Sequence, residues 1–441
     1  MFVASALPDD RSPSGWACML PERLPKAALT HNISADIIIV GAGFAGLAAA
    51  CRLHQIDKTL RIVLLEALAV GDGAAGRNSG FLIDLPHDVS SESYGSDSDQ
   101  KSRNEIYANR TAIALARAMA EEHGWGREIF DPCGKYSIAL SDDGDAHLKA
   151  YSGQLDAMKE PHQSLDRQGI FSVTGAPVFS SGLYTPGAVI IQPAAYIRAF
   201  ADALPSSVTL FERSPVLSMD RQSDAWLVKT AKGSVRAKRV LLTVNGHAQS
   251  FGILPKQLLH IFTYASLTEE FNPQSLGGER SWAATPAHPM GTSVRRIKGR
   301  NGDRILIRSR YTYNPEIKAT EHDVARSGRI HDRKFKARFP MLHRVKMQYR
   351  WGGAMSLTWN AVPAVSEVEP GLIVAAACNG VGGTKATASG IVAAERALGV
   401  SSPLGDIYRS MAAPKKLPPA FITKLGAQAN LAFRHFRAGG E

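Results

Sequence analysis

The sequence predicts an α/β fold centred on a Rossmann-like dinucleotide domain, and three observations predict it. Residues 36–40, DIIIV, form a short β-branched run of the kind buried on both faces in a parallel sheet. That run passes directly into GAGFAGLAAACRL, a G-x-G-x-x-G turn (Gly41, Gly43, Gly46) opening an alanine-rich helix. A second apolar strand, RIVLLE, ends on Glu66, 20 residues beyond Gly46.

Each part has a physical task. Gly41 permits the tight turn, and Gly43 lets the backbone approach a pyrophosphate. Gly46 lets the helix pack close to the sheet, while Phe44 and Ala45 begin a helix whose free N–H groups face the phosphates. Glu66, followed by Ala67, is placed to accept a hydrogen bond from a ribose hydroxyl. Its charge opposes a 2′-phosphate and so argues against NADP. These residues do not separate NAD from FAD, because both carry an ADP half.

The composition agrees with a globular enzyme. The chain has 441 residues, enough for two or three domains, with 44% hydrophobic and 21% charged residues. No run of 18 apolar residues predicts a membrane span, and the N-terminal stretch lacks the basic and apolar regions of a signal peptide. Residues 1–32 therefore read as an N-terminal arm. The four cysteines (Cys18, Cys51, Cys133, Cys378) are scattered. That pattern fits a reducing cytoplasm and argues against a disulfide framework or a zinc site, so no metal ligands are predicted.

The net charge of +11 is local: residues 295–350 hold 17 Lys+Arg against 5 Asp+Glu, and the rest is near neutral. The simplest reading is a solvated basic face. The sharper one is an electrostatic funnel for an anionic substrate or partner. No helix-turn-helix, zinc finger or aromatic RNA-binding motif accompanies the charge, so nucleic-acid binding is not expected.

After Glu66 an NAD dehydrogenase would continue with alternating strands and helices. This chain instead has GDGAAGRNSGFL (71–82), a long Gly/Ala loop containing Gly73, Ala74, Arg77, Asn78, Ser79 and Gly80. The stretch GAAGRNSGFL resembles the Gly-Arg-Asn loop of the D-amino-acid oxidase/glycine oxidase (DAO) superfamily of flavoproteins, and most of all its γ-glutamylputrescine oxidoreductase-like branch. Ser79 stands where that family more often has glycine. Three later stretches follow the same plan: GAVIIQPAAYIRAFADAL (187–204); VTLFERSPVLSM with KRVLLTVNGHAQ; and the C-terminal segment 349–399 with CNGVGGTKATASG. NAVPAVS departs from the family's usual Asp-Gly-containing run.

The resemblance implies non-covalent FAD in a glutathione-reductase-type domain, since no His or Cys occupies the loop's flavin-facing positions. It implies Val216 near the adenine, and a turn through Thr243, Asn245 and Gly246 closing on the dinucleotide. Gly380, Val381, Gly382, Gly383 and Thr384 would open a helix toward the flavin edge where negative charge develops on reduction. The expected FAD-binding domain is discontinuous (33–90, 187–250 and 351–405). An interleaved antiparallel-sheet substrate domain (91–186 and 251–350) covers the flavin, and 406–441 forms a C-terminal tail.

For the substrate, the resemblance points to the strands after residue 250. Candidates are His260, Tyr311 and Arg308 for catalysis, and Tyr264, Arg310, Tyr313, Trp351 and Trp359 for binding. Regular alternation puts Arg308 and Arg310 on one face and Ser309 and Tyr311 on the other. The Asn-Gly at 301–302 predicts a hairpin.

The implied reaction is oxidation of a C–N bond of an amine or amino acid. Hydride passes to flavin N5, the imine hydrolyses, and electrons go to O2 or another acceptor. A 2-hydroxy-acid dehydrogenase on the same fold is the alternative within enzymes. A basic flavin-containing binding or complex subunit is the alternative outside them. The tail reads as an amphipathic helix whose apolar members, Phe421, Leu425, Phe433 and Phe436, pack on the body or on a second copy in a homodimer.

Overall fold

The computed structural model describes residues 1–9, 12–86 and 99–441. The expected domain boundary at 90/91 lies outside the described residues. Among them four sheets form. The run IIIV (Ile37–Val40) is buried at every position, as is Ile62–Leu65, and the two pair in parallel. They sit in the middle of a six-stranded sheet ordered Val208–Phe211, Ile62–Leu65, Ile37–Val40, Arg239–Leu242, Leu372–Ala376 and Ala364–Glu369. All neighbours are parallel except the last pair. This is the sheet of the predicted Rossmann-like domain, assembled from three separate stretches of chain. Helices Phe44–Ile56 and Gly382–Leu398 pack against each other on it. They approach so closely that a Cβ at Gly390 would lie 2.1 Å from the Ala45 carbonyl oxygen.

The second large sheet has eight strands, ordered Met347–Leu357, Leu259–Thr268, Asp303–Tyr313, Ser293–Lys298, Trp282–Pro286, Lys135–Ala139, Ser181–Thr185 and Gln163–Leu165. Its neighbours are antiparallel except for Trp282–Pro286 and Lys135–Ala139, which run parallel. The predicted hairpin joins Ser293–Lys298 to Asp303–Tyr313, with Lys298 opposite Asp303. Strand Met347–Leu357 pairs with Leu259–Thr268 along its length, so the substrate sheet runs several residues past the expected boundary at 350/351.

Three expectations need correction. The N-terminal segment, expected as an arm, is built into the fold. Phe2–Val3 and Asn32–Ser34 are the edge strands of a five-stranded sheet, on either side of 218–237. The basic segment is not simply a solvated face, because its chain is woven into the sheet and its core. Arg295, Arg296 and Arg338 are buried, and Arg296 pairs with the buried Asp303.

The tail is helical over Ala420–Arg437, but Phe421, Leu425, Phe433 and Phe436 are all exposed, Phe436 at 83%. Its contacts with the body come from other residues. Leu431 packs beside Tyr311 and Met355, and Thr423 is buried. Lys334 and Arg338 donate to the carbonyls of Glu441 and Gly440 (2.9 and 2.6 Å). Polar anchoring, invisible in an apolar pattern, sets which face turns inward. Among the described residues, no helix is long and apolar enough to cross a membrane.

Candidate active site

A long cavity runs from the first glycine turn to the inner face of the eight-stranded sheet. Its first wall follows from the turn's backbone. Gly41 has φ +100°, open to glycine at little cost. A Cβ on Gly46 would stand 1.8 Å from the Gly41 carbonyl oxygen, so only glycine lets the helix start so near the strand. Thr243 Oγ1 donates to the carbonyls of Val40 and Gly41 (2.8 and 2.9 Å), tying this turn to the next strand end. Gly43 caps the helix without a side chain, which leaves its first-turn N–H groups facing the cavity. The Glu66 carboxylate accepts from the N–H of Ala42 and of Leu68 (2.8 and 2.9 Å), and burial pushes its carboxyl above the usual range.

The Gly-Arg-Asn loop forms the second wall. Asn78 folds it locally: its amide donates to the Ala75 carbonyl, and its side-chain oxygen accepts from Gly80 N–H (2.7 and 2.8 Å). Three successive carbonyls are then held from three directions. Trp351 Nε1 donates to Arg77 O (2.9 Å), Trp16 Nε1 to Asn78 O (2.8 Å), and Arg295 Nη1 to Ser79 O (2.8 Å). The Arg295 guanidinium lies 4.9 Å over the Trp16 ring, and burial pulls it down to about 10. Arg77 itself is buried and donates to the carbonyls of Gly352 and Ser12 (2.7 and 2.6 Å). It joins the loop to the eight-stranded sheet and to the N-terminal segment.

The third wall is the turn after Leu372–Ala376. Ala377, Asn379 and Gly380 all have positive φ. Asn379 supports that turn: its side chain donates to Ala377 O and accepts from Thr358 N–H (both 2.9 Å). Asn245 accepts from Ala377 N–H (3.0 Å). Helix Gly382–Leu398 begins with no side-chain cap, so a second set of first-turn N–H groups is open. Thr384 Oγ1 is buried there without a partner among the described residues. Two uncapped helix N-termini, a carboxylate at the strand end and glycines at both turns suit the diphosphate, ribose and ring edge of FAD.

Most sequence-predicted cofactor residues line this cavity. They are Gly41, Gly43, Phe44, Ala45, Glu66, Ala67, Gly73, Ala74, Arg77, Asn78, Ser79, Val216, Thr243, Asn245, Gly380 and Gly382. Gly46, Gly80, Gly246, Val381, Gly383 and Thr384 stand behind it and act on its shape. A Cβ at Gly80 would meet Arg295 Nη1 at 2.0 Å, and one at Gly383 would meet Leu82 at 2.3 Å.

The sheet closes the far end with Phe262, Thr263, Tyr264, Ala265, Arg308 and Met355. Here regular alternation fails. A β-bulge shifts the register so that Thr263 faces Tyr311 while Tyr264 faces Ser309, leaving Arg310 unpaired at φ +66°. Arg308 and Tyr311, expected on opposite faces, therefore meet: Arg308 Nη1 donates to the Tyr311 hydroxyl, with the guanidinium 4.7 Å over the ring. Arg308 has no carboxylate partner among the described residues. Tyr311 N–H donates to His435 Nε2 (3.1 Å), which makes the tail helix the support of this pair. Tyr264 shares a 2.6 Å hydrogen bond with Thr312 Oγ1, and burial pushes its phenol up to about 12.

The other candidates fall elsewhere. His260 does not line the cavity; its ring sits between Gln249 Oε1 (2.7 Å) and Ser356 Oγ (3.3 Å), and burial pulls it down to about 4. A neutral ring there donates from Nε2 to Gln249 and accepts from Ser356. Arg310, Tyr311, Tyr313 and Trp351 also lie off the lining, and Trp359 is 60% exposed. Sequence reasoning missed several lining residues: Ala6–Asp9, His247, Phe262, Ile317 and Cys378. None carries a local pattern; each arrives through tertiary packing.

The DAO family model, described as FAD dependent oxidoreductase, matches residues 36–396. The chain is 26% identical over 418 residues to "Probable oxidoreductase OrdL" of Rhizobium meliloti (strain 1021), covering 91% of each. It is 24% identical over 399 residues to "Gamma-glutamylputrescine oxidoreductase" of Escherichia coli (strain K12), covering 88% of this chain and 89% of the relative. Among solved structures, glycine oxidase from Geobacillus kaustophilus superposes with a TM-score of 0.69 at 18% identity, covering 88% of this chain and 100% of that one. The cavity, its two uncapped helices and the family match agree on one cofactor, FAD, and the chain belongs to the DAO family of FAD-dependent oxidoreductases.

Proposed function

We propose that this protein oxidises the C–N bond of a small amine or amino acid bearing a carboxylate, giving an imine that hydrolyses, with electrons passing to O2 or another acceptor. One observation carries the reading: Arg308 lines the sheet end of the cavity beside Phe262, Tyr264 and Met355, with no carboxylate partner among the described residues. When bound, FAD supplies the two-electron acceptor for the hydride on the carbon beside nitrogen. The chain's own residues supply the rest. Arg308, fixed by Tyr311, offers a guanidinium fork to a carboxylate. The apolar wall lowers the charge-holding tendency of the amine, which favours the neutral form that reacts. Sheet and loop together exclude water from the reacting carbon.

The printed names of the relatives, a γ-glutamylputrescine oxidoreductase and a glycine oxidase, support C–N chemistry. We propose that the cofactor is held without a covalent bond. Cys378 is the cysteine on the lining, and burial raises its thiol, which keeps it from the thiolate form that attachment requires. The test is anaerobic mixing of the holoenzyme with amines, amino acids and 2-hydroxy acids while following flavin absorbance. Bleaching by carboxylated amines is expected. Bleaching by hydroxy acids alone would overturn the C–N assignment, and a flavin that nothing reduces would favour a binding role.

A further inference from the structure

We propose that Asp143, His147 and His288 form a binding site for a divalent transition metal of the zinc class, separate from the flavin cavity. Their ligand atoms lie within 4.8 Å of one another, and none of the three lines the cavity. Asp143 and His147 are four residues apart on helix Asp142–Met158, so both project from one face, with His147 Nε2 3.7 Å from Asp143 Oδ2. His288 comes from a different element, the turn joining Trp282–Pro286 to Ser293–Lys298. Its ring stands edge-on to that of His147, with centroids 4.9 Å apart.

Two features prepare His288 as a ligand. The ring is buried, and Nδ1 lies 2.7 Å from the Pro289 carbonyl oxygen. A carbonyl can only accept, so Nδ1 carries the proton and Nε2 keeps its lone pair. This is the backbone support that metal-binding histidines receive in known sites. A hydrogen bond closes the turn itself: Gly291 N–H donates to His288 O (3.0 Å), with Met290 at φ +74°.

The donor set chooses the metal class. Two imidazoles and one carboxylate, with room for water on the exposed Asp143 side, suit Zn2+ or a neighbouring transition ion. Ca2+ and Mg2+ require oxygen-rich shells and are disfavoured. Zn–ligand bonds near 2.0–2.2 Å at tetrahedral angles place donors about 3.4 Å apart. His147 Nε2 and Asp143 Oδ2 already stand 3.7 Å apart, and the 4.8 Å bound on the set leaves side-chain rotation to bring the three donors to that spacing. The cysteine pattern, which argues against zinc, is silent on a site built from no cysteine. A bound ion would clip the helix to the turn, and that turn's Met290 packs with Tyr311 and with Met355 of the cavity wall. The proposed ion thus braces the substrate end of the cavity from outside.

The experiment uses chelator-stripped holoenzyme dialysed against Zn2+ or Mg2+, with bound metal measured by atomic emission and thermal unfolding followed in parallel. Wild type is expected to retain one Zn2+ per chain and to unfold at higher temperature with Zn2+, but not with Mg2+. The surface variants Asp143→Asn and His147→Gln should each weaken Zn2+ binding at least about tenfold, and the double variant should abolish it, with flavin content unchanged. Retention of zinc and of the thermal shift by the double variant would overturn the proposal. So would failure of wild type to take up zinc.

Discussion

Replacing Arg308 tests the proposed substrate class most directly. Its guanidinium lies at the cavity wall, oriented by the Tyr311 hydroxyl and ring. A carboxylate there would gain charge-assisted hydrogen bonds, worth about 1.5–3 kcal/mol net. At about 1.4 kcal/mol per tenfold, Arg308→Met should lower kcat/KM for a carboxylated amine by roughly 10- to 100-fold. Arg308 is only partly buried, so solvent screening favours the lower half of that range. Arg308→Lys should recover part of the loss, because it keeps charge and loses the fork. The variant also strands the Tyr311 hydroxyl, so flavin content and unfolding temperature must be compared alongside. The assay is steady-state kinetics on matched substrate pairs, each amine with and without its carboxylate. The loss should fall on the carboxylated member. An equal loss on both members would refute the role of Arg308 as a carboxylate clamp.

Other consequences follow from the same geometry. Gly46→Ala should destabilise the protein with or without flavin, because its Cβ would meet Gly41 O at 1.8 Å; Gly43→Ala, whose nearest neighbour is Ala75 Cβ at 3.6 Å, should fold but bind flavin weakly. Thermal melts and flavin absorbance per chain distinguish the two. Acid precipitation should release all the yellow colour into the supernatant, and colour left in the pellet would refute non-covalent binding.

His260 gives a pH prediction. Its folded value of about 4 lies below its ordinary value near 6.5, so the folded state resists protonation. Its stabilising contribution is whole above about pH 6.5 and is lost as pH falls toward 4, by up to about 3 kcal/mol. His247, His331 and His435 are depressed by burial in the same way, so His260→Gln should make that limb of the stability–pH curve shallower in urea melts without removing it, while leaving the pH profile of kcat/KM in place. A lost limb in the kinetic profile would make His260 an acid–base group after all.

What could be read from the sequence and what could not divides along a physical line. Where the backbone itself needs a residue type, the need is written locally. Gly41 must turn at positive φ, Gly46 must admit a helix against a strand, and the Ile37–Val40 run must be apolar on both faces. These residues mark the first wall of the cavity. Side chains that act at a distance leave no such mark. Trp16, Trp351 and Arg295 come from three separated stretches to hold three successive carbonyls of one loop, and nothing near each residue announces its target. The N-terminal segment carries no local sign of its part in the sheet for that reason. The bulge at Arg310 was equally hidden, since an arginine at positive φ gives no glycine or asparagine signal.

The bulge matters more than its single residue suggests. Without it, the period of two would send Tyr311 to the face opposite Arg308, and the guanidinium would lose both its hydroxyl acceptor and its aromatic floor. With it, Arg308 is aimed into the cavity by Tyr311, Tyr311 is backed by His435, and Arg310 is diverted from the lining. Strain in one backbone residue thus sets the charge at the sheet end of the cavity. It follows that Arg310→Gly, which relaxes that backbone, should leave the kinetic preference for carboxylated substrates intact and raise thermal stability slightly. Arg310→Val, β-branched at positive φ, should favour regular pairing, turn Tyr311 away and erode the same preference as Arg308→Met. If Arg310→Val kept both full stability and full preference, the bulge would not be what aims Arg308.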